Sequence, residues 1–251
     1  MPGAYAKEAN ARNPALIIYL IDISGSMSDS FDGAKKIDHV NRALQSILRR
    51  MVQRSTKGEI VSARYRLAMA AYSDTVLDML GGIRSIDDVA KKGNPVLSTT
   101  GGTNTHAAFV WARDILSSEI PRSRGNPAPM VCHLTDGQYT GSDPEPVVKE
   151  IMALSNDDGT VLVENIYLGP GLTKKPIENA EQWPGIFDEA ELENPYAKKL
   201  FAMSSPLPGS YAEMIGTEGY SLRPGCRMLI PGSNRDLIEL AFAMSGATPT
   251  A

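Results

Sequence analysis

The chain has 251 residues, 42% of them hydrophobic and 22% charged, with a formal net charge of −4. That suits one large α/β domain or two small ones with a sizeable core, and no basic block speaks for a nucleic-acid or anionic-membrane partner. The longest apolar run, Ala15 to Ile21, is too short to cross a bilayer, and the opening MPGAYAKEANARNP has no apolar signal core. Two cysteines, Cys132 and Cys226, make no disulfide framework, so reduced thiols and a cytoplasmic setting are expected.

In chain order, Ala15 to Ile21 reads as a strand covered on both faces. In Lys36 to Gln53, Ile37, Val40, Leu44, Ile47, Leu48 and Met51 recur at helical spacing, with charged and polar residues between them. Tyr65 to Tyr72 and Thr75 to Leu80 form a hairpin through Ser73-Asp74, the second strand at the sheet edge. Gly101-Gly102-Thr103-Asn104-Thr105 opens a helix with Ala108, Trp111, Ala112 and Ile115 on its apolar stripe and Thr103 or Thr105 as cap. Met130 to Leu134 is a strand, and Asp143 and Pro144 start the next helix. Val161 to Leu168 is another strand.

Beyond it, 170–193 and 205–225 read as irregular insertions flanking a helix over Pro195 to Met203. A short strand, Arg227 to Ile230, and a helix carrying Leu237, Leu240, Ala241 and Met244 complete the pattern. Alternating strands and helices predict a single α/β domain over 1–251, with its core in 14–169 and 195–247 and a mostly parallel sheet.

Three segments place small oxygen donors just past a strand or at a helix start. They are Asp22-x-Ser24-x-Ser26, Gly102-Thr103 and Thr135-Asp136-Gly137. If the first strand and the Met130 to Leu134 strand are neighbours where the strand order reverses, Asp22 and Asp136 meet across the crevice and Thr103 closes the ring. Two carboxylates and three hydroxyls suit Mg²⁺, Mn²⁺ or Ca²⁺ rather than Zn²⁺ or Cu²⁺. Taken alone, Asp22, Ser24 and Ser26 also read as a capped strand-to-helix turn.

These segments resemble the von Willebrand factor type A domain with its metal-ion-dependent adhesion site, a family with integrin and many bacterial members, some cytoplasmic. Asp22, Ser24, Ser26, Thr103 and Asp136 all match its pattern. The resemblance is specific from about Pro14 to Gly169. It implies a Rossmann-like, doubly wound sheet of six strands, five of them parallel, with an antiparallel edge strand and helices on both faces. It further implies that Ser24, Ser26 and often Thr103 bind the metal directly, with Asp22 and Asp136 acting mainly through coordinated water. A carboxylate from a partner protein then completes the shell, so a non-enzymatic interaction module is expected.

The competing reading is a Mg²⁺-dependent phosphohydrolase of haloacid dehalogenase type with Asp22 as nucleophile. Position 24 is Ser where that chemistry needs a second acid. Gly-x-Ser-x-Gly and Gly-x-Gly-x-x-Gly signatures are absent around Ser26 and after the first strand. Trp183 and Phe187, on the segment leaving the metal edge of the sheet, are expected to flank the site and tune partner choice. His106 and the acids Asp29 and Asp32 read as surface residues, and His133 as an interior, hydrogen-bonded one.

Overall fold

The eight residues Ala15–Asp22 carry no charge before the last, form the first strand (β1), and are all buried. Such a strand needs ladder partners on both sides and apolar cover on both faces. The structure, a computed structural model describing residues 4–246, supplies both. The ends of the expected domain, 1–3 and 247–251, lie outside those residues.

The other strands of the main sheet and the α-helices begin with α1 (Lys36–Ser55), β2 (Tyr65–Tyr72), β3 (Val76–Asp78), β4 (Arg84–Ser85), α2 (Ile86–Lys92) and α3 (Thr105–Glu119). They continue with β5 (Met130–Thr135), α4 (Glu145–Ala153), β6 (Leu162–Leu168), α5 (Pro195–Ala202), α6 (Gly209–Thr217), β7 (Leu229–Gly232) and α7 (Arg235–Ser245). The sheet order among the described residues is β7-β6-β5-β1-β2-β3, with β4 also beside β2. Five strands are parallel, and β3 and β4 run antiparallel to β2. This is the expected doubly wound architecture, with the two-residue β4 added.

Alternation along β1 divides the core. Ile17, Tyr19 and Ile21 pack with α1 and α7 residues such as Leu44, Leu48 and Leu240. Leu16, Ile18 and Leu20 pack with Phe109, Ala112 and Leu116 of α3 and Val148 of α4.

The structure corrects several expectations. Segment 205–225 is not wholly irregular: α6 starts after Pro208 because Tyr211, Ala212 and Ile215 bury one face in the α1/α7 core. The edge strand stops at Asp78, whose carboxylate takes the backbone N–H groups of Leu80, Gly81 and Gly82 and turns the chain away. Asn104, not Thr103 or Thr105, caps α3, its Oδ1 accepting from the Ala107 N–H at 3.1 Å. Just ahead of β7, Arg227 is bridged by Ile186 from segment 170–193 and by Pro206 from segment 205–225, which pairs the chain where it enters the edge strand.

One buried carboxyl in this core lacks a charge partner among the described residues. Glu164, in the middle of β6 and opposite Cys132 in the ladder, is fully buried, and neither carboxylate oxygen has a hydrogen-bond partner among the described residues. Burial pushes its pKa up to about 8, and the Cys132 thiol offsets this only in part. The unfolded chain releases this proton near the ordinary carboxylate value while the folded chain retains it. Stability from this residue is therefore full below about pH 4.5 and is lost as pH rises toward 8. We expect Glu164→Gln to melt close to wild type at pH 4.5 and to be roughly 3 kcal/mol more stable at pH 7. Chemical denaturation at both pH values checks this; an equal difference at both would refute an ionisation effect.

Candidate metal centre

Strand order reverses at β1: its successor β2 lies on one side and β5 on the other. The crevice between the carboxyl ends of β1 and β5 is thus the switch point where open α/β sheets bind ligands. Ile21 pairs with Leu134, which brings Asp22 level with Thr135. The Thr135 hydroxyl donates to Asp22 Oδ2 at 2.8 Å, and the Ser24 backbone N–H donates to Oδ1 at 2.8 Å. These bonds bend the chain sharply after β1 into one 3-10 turn, Gly25–Ser28, pinned by the fully buried Met27.

The turn aims its hydroxyls at the neighbouring strand. Ser24 Oγ lies 3.2 Å from Ser26 Oγ, and Ser26 Oγ donates to Asp136 Oδ1 at 2.8 Å. The other Asp136 oxygen accepts from the Lys36 ammonium at 2.7 Å. Asp22, Ser24, Ser26 and Asp136 are therefore brought together as anticipated.

The Thr103 loop is stitched between the other two. The Gly25 N–H donates to the Gly101 carbonyl at 3.1 Å and Thr100 N–H to the Ile23 carbonyl at 2.7 Å. On its other side, the Thr103 carbonyl accepts from the Thr140 N–H at 2.8 Å, in the chain following Asp136. Asp74 holds the loop from outside by accepting the Gly102 N–H at 3.0 Å. Gly101, at φ +66°, and Gly102 are needed here, since a Cβ on either would lie 2.5–2.6 Å from an Asp74 carboxylate oxygen.

Burial pushes the Asp22 pKa up to about 6, against the pull of its hydrogen bonds from Ser24 and Thr135. A carboxylate so placed gains from a nearby positive charge. The donor set is all oxygen, two carboxylates and neutral hydroxyls, which fits a hard divalent cation. Oxygens adjacent in an octahedral shell of about 2.1 Å radius lie about 3.0 Å apart, close to the 3.2 and 2.8 Å separations from Ser26 Oγ to Ser24 Oγ and Asp136 Oδ1. As a nucleophile Asp22 is poorly prepared: both oxygens are engaged, and Ser24 stands where a proton-donating acid would be needed.

Sequence reasoning missed four contributors. Thr135 orients Asp22, Asp74 holds the Gly101-Gly102 turn, and Lys36 neutralises Asp136. The fourth is a tyrosine cluster: Tyr196 from α5 lies between Tyr139 and Tyr167, at ring-centre distances of 6.5 and 6.2 Å. Burial raises the Tyr196 pKa above its usual range, with smaller effects from Thr135, Asp22 and Asp136. Tyr139 and Tyr167 are only half-buried. The signal for Thr135 was present, since it precedes Asp136; Tyr196 lies sixty residues further on and carried none.

Trp183 is half-buried against the clusters of the α1/α7 core and of α5. Phe187 is 47% exposed and follows Ile186, which is bridged to Arg227 at the outer edge. His106 reaches the Asp143 carbonyl through Nδ1, as a surface residue of α3.

Comparison with known proteins bears on the fold that carries these residues. Residues 17–138 match the model of the von Willebrand factor type A domain. No curated protein sequence matches the chain. Among solved structures, a von Willebrand factor type A protein from Catenulispora acidiphila is similar over 94% of this chain and 42% of its own, at 15% identity and TM-score 0.56. Proximal thread matrix protein 1 from the mussel byssus is similar over 95% and 49%, at 14% identity and TM-score 0.53. The pilus adhesin SpaC from Lactobacillus rhamnosus GG is similar over 96% and 31%, at 12% identity and TM-score 0.57. The chain spans less than half the length of each of these three, and at such identities the likeness is one of fold. The stretch from β1 to the turn after β5, which holds Asp22, Ser24, Ser26, Thr103 and Asp136, thus matches a von Willebrand factor type A domain, and the chain around it carries that fold.

Proposed function

We propose that this protein is a metal-dependent protein-interaction module without catalytic activity. A divalent cation, Mg²⁺ foremost and Mn²⁺ or Ca²⁺ as alternatives, is held by Asp22, Ser24, Ser26, Thr103 and Asp136. The ion supplies a Lewis-acidic point that attracts an anionic oxygen from an acidic residue of a partner protein. The observation that carries this reading is the convergence of the Ser24, Ser26 and Asp136 oxygens beside buried Asp22 at the switch point. The match over 17–138 supports it, as does the likeness to a pilus adhesin. Among the described residues no helix is long and apolar enough to cross a membrane. Both cysteines are buried free thiols, which suits a reducing compartment such as the cytoplasm.

Around the ion, this chain's residues divide the work. Asp22 and Asp136 set the negative field, Thr135 and the Ser24 N–H fix the Asp22 carboxylate, and the stitched Thr103 loop closes the crevice. Half-buried Tyr139 and Tyr167, on either side of Tyr196, offer an aromatic rim, apolar in body and polar at the tip, a type favoured at interfaces.

Mg²⁺ should raise the melting temperature of wild type and leave Asp22→Ala unmoved, and a lysate pull-down should retain partner only for wild type with Mg²⁺. Partners kept equally by both proteins in Mg²⁺ and in EDTA would refute metal-dependent capture.

For the rim, Tyr139→Ala should weaken partner binding roughly tenfold or more, the scale of an interface anchor of ~1.4 kcal/mol or greater. The double variant Trp183→Ala/Phe187→Ala tests the alternative rim in the same titration. If only the double variant loses affinity, partner choice is read by the 170–193 segment instead.

A further inference from the structure

Asp136 already has a cation on it. Lys36, the first residue of α1, lays its side chain into the crevice until 13% of it remains exposed, and its Nζ donates to Asp136 Oδ2 at 2.7 Å. The Asp136 side chain is wholly buried, so this ammonium is its counter-charge, while its other oxygen is taken by Ser26. A second acid stands by: Asp29 Oδ2 lies 3.9 Å from the same Nζ, on a side chain 66% exposed. The Lys36 N–H donates to the Asp29 carbonyl at 3.1 Å, which keeps the two residues side by side. Lys36 thus sits between one buried and one solvated carboxylate.

We infer that Lys36 is an internal counter-ion that competes with the divalent cation for Asp136 and so sets how tightly the crevice takes metal. The inference rests on the metal reading above. Leaving Asp136 buried without a positive partner is costly, so the metal-free protein is held together by the lysine. With a divalent ion held beside Asp136, the Lys36 ammonium would turn outward to Asp29, 3.9 Å away, where hydration and a neighbouring charge would receive it. No proton need move: the protein gains the two positive charges of the ion and the ammonium only changes place. Metal affinity is then the difference between two cations at one carboxylate, and the lysine keeps it moderate.

Lys36→Met separates the two roles. In EDTA it should melt below wild type, because Asp136 loses its partner. In Mg²⁺ titration calorimetry it should bind about tenfold more tightly or better, because the competing charge is gone, and saturating Mg²⁺ should close the melting gap. Lys36→Arg keeps the charge and should bind Mg²⁺ near wild-type affinity. Lys36→Gln, which retains a donor without the charge, should also bind more tightly and serves where the Met variant does not fold. Equal or weaker Mg²⁺ binding by the neutral variants, with wild type binding normally, would overturn the competition and leave the metal site standing. Absence of binding by wild type and every variant would overturn both.

Discussion

The structure depends on one constraint: a carboxylate is buried at the end of a strand that is covered on every side. Asp22 concludes β1, paired with Tyr72 on one flank and one residue beyond the Ile21–Leu134 pair on the other, and it is fully buried. It must be satisfied from the next strand and from its own turn, by Thr135 and the Ser24 N–H. Those two bonds bring β1 and β5 to a common level and bend the chain so that the Ser24 and Ser26 hydroxyls meet Asp136. The crevice follows from how the fold solves the burial of Asp22.

A polar relay beneath the crevice holds the strand ends in register. Tyr72 donates to His133 Nε2 at 2.7 Å, His133 Nδ1 donates to Asn165 Oδ1 at 2.7 Å, and Asn165 Nδ2 reaches the Met203 carbonyl at 3.0 Å and Ser204 Oγ at 2.9 Å. It crosses β2, β5 and β6 to the end of α5. Burial pushes the His133 pKa down to about 4, so the ring stays neutral near pH 7 with one nitrogen donating and the other accepting. Every partner is supplied, in contrast to Glu164 on the opposite face, and a satisfied buried network of this kind favours one packing over others.

The chain after β6 does structural service on both sides of the sheet. Ile186 bridges Arg227 ahead of β7, while α5 sets Tyr196 between Tyr139 and Tyr167. Lys36, at the start of α1, brings its ammonium to Asp136 and lies close enough to Tyr167 to act on its hydroxyl.

The sequence by itself determined the strand–helix alternation, the buried parallel sheet and the oxygen set Asp22, Ser24, Ser26, Thr103 and Asp136. Apolar runs and helical spacing are local, and the donors stand within a few residues of the strands or helix that carry them. Tertiary structure alone decided that Asn104 caps α3, that α6 forms within a Pro- and Gly-rich stretch, and that Phe187 follows a residue bridged to Arg227 while Trp183 packs between two apolar clusters. It also decided that Lys36, Asp74 and Tyr196 belong to the crevice. Lys36 reaches Asp136 across one hundred residues, and no periodicity or motif records such a contact, because it is made by strand order and by what is left unsatisfied when the strands close.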